Sequence, residues 1–181
     1  MAAKLSNYVG PPQGEGVPLD FGIATKWFEL GADGSKPRVK FRIGKRFRDG
    51  ERAPQNFKIA FRLFLCSAEM GVPEAQYELA DMYLDGLGVP PNSVEAYKWL
   101  IIAAASDPNV EGRSFIEGAT KARNELMKKM SPKEITKAQE RAQNWKTLDI
   151  RNKEKSRLNE ENLKKGIKIR FLLDNPCPLR P

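Results

Sequence analysis

A chain of 181 residues with net charge +8 and 40% hydrophobic residues has room for one domain with a modest or elongated core. It has no histidine, which excludes Ser-His-Asp and Cys-His catalysis and histidine-ligated zinc, and its two cysteines, Cys66 and Cys177, do not look like a secreted disulfide framework. No run approaches 18 apolar residues, and residues 1–8 have no apolar stretch after Lys4, so neither a membrane span nor a secretory leader is expected. The expected location is the cytosol or an organelle interior, with peripheral attachment to a membrane complex compatible with that.

Residues 1–13 contain Gly10-Pro11-Pro12 and little helix signal, so an extended arm is expected. From residue 14 the chain repeats. A 36-residue shift places residues 37–72 on 73–108 without a gap: Phe41 falls on Tyr77, Ile43 on Leu79, Phe47 on Tyr83, Asp49-Gly50 on Asp85-Gly86, Pro54 on Pro90, Ala60 on Ala96 and Ala68 on Ala104. At twice that period Gly14-Glu15-Gly16-Val17-Pro18 matches Gly86-Leu87-Gly88-Val89-Pro90, and Trp27 matches Trp99. The array therefore opens with half a repeat, 14–36, and continues with two full ones.

Each unit reads as two helices. Ala75, Leu79, Met82 and Tyr83 fall at helical spacing, as do Ala96, Trp99, Leu100 and Ala103. Gly86 closes the first helix, Pro90 and Pro91 cannot continue it, and Asn92 or Ser93 caps the second. Residues 109–146 form a closing unit: Ala119, Ala122 and Leu126 suggest one helix, and the capping box Ser131-Pro132-Lys133-Glu134 opens another with Ile135, Ala138, Ala142 and Trp145 as its apolar stripe. One helix pair cannot bury its apolar face alone, so stacked pairs share a core. Cys66 lies in an apolar run and reads as core, not as a nucleophile.

Tyr77-x-Leu79-Ala80-x-x-Tyr83-x-x-Gly86-x-Gly88-Val89, followed by Ala96-x-x-Trp99 and Ala103-Ala104, resembles the Sel-one-like repeat family, a relative of the tetratricopeptide repeats. The resemblance covers residues 14–146. The first full repeat departs from it where Glu51-Arg52-Ala53 replaces the glycine loop and Leu63 replaces the tryptophan. The fold it implies is an all-α, right-handed superhelical solenoid of about three and a half repeats, with extended arms at both ends. The activity it implies is non-catalytic assembly of protein complexes, with no cofactor, metal or small-molecule substrate.

Charge is segregated. Residues 37–52 carry seven basic and two acidic groups, residues 73–108 one and six, and residues 146–181 ten and five. The resemblance places the first helix of each pair on the concave face. Carrying over its inward positions gives Arg38, Phe41, Lys45, Arg48 and Asp49, then Glu74, Tyr77, Asp81, Leu84 and Asp85. Of these Arg38, Phe41, Lys45, Arg48, Tyr77, Asp81 and Asp85 are the candidate partner-binding residues, with Arg38, Lys45 and Arg48 forming a basic stripe for an acidic partner. Glu78, Asp81 and Asp85 share a helix face, but nothing obvious completes a metal site, and Arg42 and Lys45 one period earlier offer pairing instead.

The C-terminal segment 147–181 reads as a basic tail: a loosely periodic, charged helix to Lys165, a stop at Gly166, then a strand-like run Ile167–Leu173 and a proline-rich end. Arg151, Lys153, Lys155, Lys164, Lys165, Lys168 and Arg170 are its candidate contacts. The function expected is a protein-binding adaptor or scaffold in a larger complex. The alternative is a structural subunit of a ribonucleoprotein, touching nucleic acid through the basic helix and tail. No nucleic-acid motif, P-loop or nucleophile elbow is present.

Overall fold

The computed structural model describes residues 36–51, 54–107, 113–146 and 148–165. The expected arms at 1–13 and 166–181, the opening half repeat, Lys168 and Arg170 lie outside the described residues. Within them the chain forms seven helices and no strand: α1 (Pro37–Asp49), α2 (Phe57–Glu69), α3 (Pro73–Asp85), α4 (Ser93–Ala104), α5 (Arg113–Met127), α6 (Pro132–Gln143) and α7 (Leu148–Lys164).

The repeat is visible down to single hydrogen bonds. Pro37 and Pro73 open α1 and α3, where their missing N–H needs no partner. Gly50 and Gly86 close these helices at φ 73° and 70° and donate their N–H groups to Arg46 O and Met82 O. Asn56 and Asn92 then cap α2 and α4, each side chain accepting from the backbone N–H three residues on at 3.1 Å. Their own N–H groups donate to Phe47 O and Tyr83 O, both at 2.8 Å. The first-repeat loop thus closes like the second although it lacks the glycine-rich sequence.

Consecutive helices pack on one another: α1 on α2, α2 on α3, α3 on α4 and α4 on α5, with α4 also on α6 and α3 on α5. Phe47, Leu63, Phe64, Leu79, Trp99 and Leu100 are almost fully buried in one cluster that runs through both repeats. Ala60, Ala96 and Ala103 are fully buried, and their small side chains let neighbouring backbones approach. The closing unit joins the same core. Ala119 and Ala138 are fully buried, and the Trp145 ring meets Trp99 edge-on at 5.9 Å. The Ser131–Glu134 capping box is formed. The result is an all-α solenoid of helical repeats.

Cys66 is buried, as its apolar run suggests, and it is disulfide-bonded; the only other cysteine, Cys177, lies outside the described residues. Helix α7 has no apolar stripe. It is tethered by an ion pair from Arg151 to Glu69, at the end of α2, and by Lys146–Glu154 at 2.6 Å.

Candidate functional site

The polar faces of α1 and α3 are joined by ion pairs. Pro37 and Pro73 start both helices at the same point of the repeat, so positions seven residues apart align along one face of each. Two arginines brace the pair. Arg38 Nη1 donates to Glu74 Oε1 at 2.8 Å, and Glu74 is buried. Arg48 bonds both Asp49, at 2.7 Å, and Glu78. The Arg48 guanidinium holds the Asp49 carboxyl below its usual range. The pairing anticipated from Arg42 and Lys45 is therefore taken by Arg38 and Arg48, whose longer guanidinium forks reach across the helices.

Three cations of α1 are left over. Arg42, Lys45 and Arg46 make no side-chain hydrogen bond or ion pair among the described residues. Lys45 lies close enough to Asp49 to help lower its pKa. On α3 the leftover groups are Asp81 and Asp85, neither of which accepts a hydrogen bond among the described residues. Asp81 is half-buried, and burial pushes its carboxyl up to about 6, with Glu78 and Asp85 adding to the rise and Arg48 opposing it. Tyr77, one turn before Asp81, has its hydroxyl raised by burial and then by Asp81 and Glu78. Leu84, at 38% exposure, adds an open apolar position on the same face.

Of the sequence-nominated residues Arg38 and Arg48 bond to α3, Arg48 also acts on Asp81, which shares α3 with Tyr77 and Asp85, and Lys45 lies near Asp49 on α1. Phe41 is a correction. It is only 8% exposed, held against Phe64 at 5.6 Å and Phe115 at 6.4 Å, so its ring belongs to the core and not to a partner. Phe115 itself was not singled out from sequence. It meets Tyr77 at 5.9 Å and so links the first helices of three successive units. It lies 38 residues after Tyr77, off the 36-residue frame, and an aromatic search that tolerated a two-residue insertion would have found it. Arg151 is engaged with Glu69, while Lys153, Lys164 and Lys165 on and after α7 are exposed.

A second cluster joins α4 to α6. Glu95 receives hydrogen bonds from Lys98, at 2.8 Å, and Arg141. Burial pushes its carboxyl up, but these two cations outweigh it and hold it below the usual range. Lys98 also sits 4.2 Å over the Trp99 ring. This cluster fastens the closing unit to the array. Among the described residues no group of histidine, cysteine and carboxylate side chains is assembled to hold a metal, and no helix is long and apolar enough to cross a membrane.

Stacked helix pairs with one shared core define a helical-repeat protein. The model of the Sel1 repeat matches residues 13–35, 38–72 and 73–108, more than half of the chain, and the chain belongs to the Sel1 repeat family. Sel1 repeats mediate protein–protein interaction. Among solved structures, the crystal structure of a protective antigen present in uropathogenic Escherichia coli strains, described as displaying an SLR fold, is similar with a TM-score of 0.59 and 24% sequence identity. The match covers 84% of this chain but 30% of the antigen, so this chain spans under a third of that protein. The likeness shows the fold alone. Among curated proteins none is significantly similar.

Proposed function

We propose that this chain is a non-catalytic adaptor, a subunit of a larger complex, that holds a protein partner with an acidic surface on its α1–α3 face, with α7 and the basic residues beyond it as a second contact. The observation that carries this reading is the surplus of positive charge on α1. Glu74 and Glu78 occupy Arg38 and Arg48, yet Arg42, Lys45 and Arg46 stay unpaired among the described residues, on a helix that those same braces tie to α3. Charge on a helix braced in this way is suited to steering and orienting a complementary surface, because the backbone that carries it needs no ordering on binding. Exposed Lys153, Lys164 and Lys165 extend the basic character away from the array.

The test is the size of the particle that contains the protein in extracts of its native source, with and without RNase, for the wild type and for Lys45→Glu. Lys45 is the cleaner substitution because reversing Arg48 also breaks the brace to Glu78. A protein complex that survives RNase and is lost in Lys45→Glu, with helicity retained, is the expected result. A complex unchanged by the substitution refutes the basic-face reading. Collapse under RNase favours the ribonucleoprotein alternative, which draws on the same surplus charge.

A further inference from the structure

We infer that the segment bound on the α1–α3 face is a peptide of mixed charge, whose basic side chain seats on Asp81 beside Tyr77 and whose acidic side chain meets Lys45. This rests on the reading that the face binds a protein partner, and it adds the chemistry of what is bound.

The argument is charge complementarity at the positions of this face that have no hydrogen-bonded or ion-paired partner among the described residues. Arg38 and Glu74 are 36 residues apart, one repeat, and are hydrogen-bonded at 2.8 Å. Lys45 and Asp81 have the same separation on the same two helices, yet neither makes a hydrogen bond or an ion pair among the described residues. The repeat thus closes one pair of equivalent positions and leaves the other open. Both open residues are half-buried, so each has lost part of its water without gaining a partner among the described residues. Asp81 is set for a cation. The charged groups acting on it are Glu78 and Asp85 of its own helix and Arg48 of α1, and Arg48 spends its hydrogen bonds on Asp49 and Glu78. Tyr77 adds a half-buried aromatic ring one turn away, a surface on which an alkylammonium or guanidinium can lie, and Leu84 adds an apolar contact one turn on in the other direction. A purely acidic segment would be repelled by Asp81 and Asp85, while a purely basic one would be repelled by Lys45 and Arg42. A segment carrying both signs satisfies the two helices together.

The raised carboxyl adds a signature. With Asp81 titrating at about 6, the fraction ionised falls from nearly all at pH 7.5 to about one tenth at pH 5. If the ionised form is what a basic side chain needs, affinity falls about ten-fold over that range.

The test is a display selection of random 12-residue peptides against the full chain at pH 7.5. Amide hydrogen exchange then shows which selected peptides protect α1 and α3. For those peptides, labelled and titrated by fluorescence polarisation, we expect an obligatory Lys or Arg together with an acidic residue. We expect about ten-fold weaker binding to Asp81→Asn, weaker binding of the same peptides to Lys45→Met, and about ten-fold weaker binding to the wild type at pH 5 with no such drop in Asp81→Asn. Peptides that protect α1 and α3 but lack a basic residue, or lose less than three-fold both on Asp81→Asn and on acidification, overturn the inference and leave the adaptor reading standing. If no selected peptide protects α1 or α3, both fall. The acidification arm uses the unmodified protein, so the result does not depend on the folding of a variant.

Discussion

Replacing Asp81 by asparagine removes a charge that the folded protein holds at a cost. Its carboxyl is raised from 3.8 to about 6, first by burial, then by Glu78 and Asp85, against the opposing pull of Arg48. A carboxylate with a raised folded pKa stays protonated in the native state where the unfolded chain has already released its proton. Between pH 3.8 and about 6 the native state therefore binds more protons, and stability falls as pH rises. The penalty is absent below the lower value and complete above the upper one. The full shift corresponds to about 3 kcal/mol, and solvent screening at a half-exposed site reduces this to about 1–2 kcal/mol. The asparagine side chain has nearly the same shape as that of aspartate and carries no charge. Asp81→Asn is therefore expected to be more stable than the wild type by about 1–2 kcal/mol at pH 7.5, with the difference closing to a few tenths by pH 4. The assay is urea unfolding followed by circular dichroism at 222 nm, for both proteins, at half-unit steps of pH. The difference between the two proteins is the quantity to read. Asp49 and Glu95 are held below their usual range, and they contribute stability that is lost in the opposite direction, as pH falls. A variant that is less stable at pH 7.5, or a difference that does not change between pH 4 and 7.5, refutes the reasoning.

Trp99 is 1% exposed and carries the contact to Trp145, so Trp99→Ala should lower stability by about 3–5 kcal/mol in urea, and a loss below about 1 kcal/mol contradicts its place in the shared core. Gly88 stands at φ 75°, where a Cβ would meet Phe57 O at 2.3 Å, whereas at Gly86, φ 70°, the nearest atom is a Pro91 ring carbon at 2.9 Å. Both alanine variants should melt below the wild type, Gly88→Ala by the larger margin and with a loss of at least about 2 kcal/mol; the reverse order refutes the backbone contact. Peptide mapping without reductant should recover the Cys66 peptide cross-linked, and a free Cys66 thiol contradicts the disulfide.

Features set by neighbours in the chain were legible before the structure. The left-handed glycine at Gly86, the Asn92 cap and the Ser131–Glu134 box depend on residues within one turn, and each forms. The exact 36-residue shift identified the stacked helix pairs because the same packing problem is solved twice with residues of the same size. That exactness also hid Phe115, which is two residues out of frame and still fills the place beside Tyr77. Pairing across helices was less legible. Sequence alignment sets Arg42 and Lys45 opposite Glu78 and Asp81, but the bonds form from Arg38 at an offset of 36 and from Arg48 at an offset of 30. An arginine reaches far enough to choose diagonally, and that choice depends on helix rotation, which repeat spacing does not specify. The burial of Phe41 has the same origin. Its position in the repeat says that it faces inward, whereas the later arrival of α5 decides that another ring covers it.

The segregation of charge along the chain bears on which of these groups serve the fold. If the basic α1 and acidic α3 existed to hold the repeats together, their charges would be spent on each other. Two arginines and two glutamates are, and those glutamates are the buried ones, at 5% and 8% exposure, where an unpaired charge would be most costly. Apart from the buried Lys40 and from Asp49, which bonds Arg48, the remaining charges, Arg42, Lys45 and Arg46 on one helix and Asp81 and Asp85 on the other, are more exposed and make no hydrogen bond or ion pair among the described residues. Pairing therefore tracks burial: stability accounts for Glu74 and Glu78, whereas removing the Asp81 charge is expected to improve it. If the proposed partner seats a basic side chain on Asp81, whose carboxylate accepts no hydrogen bond among the described residues, then Asp81 is the position where binding and stability should move in opposite directions.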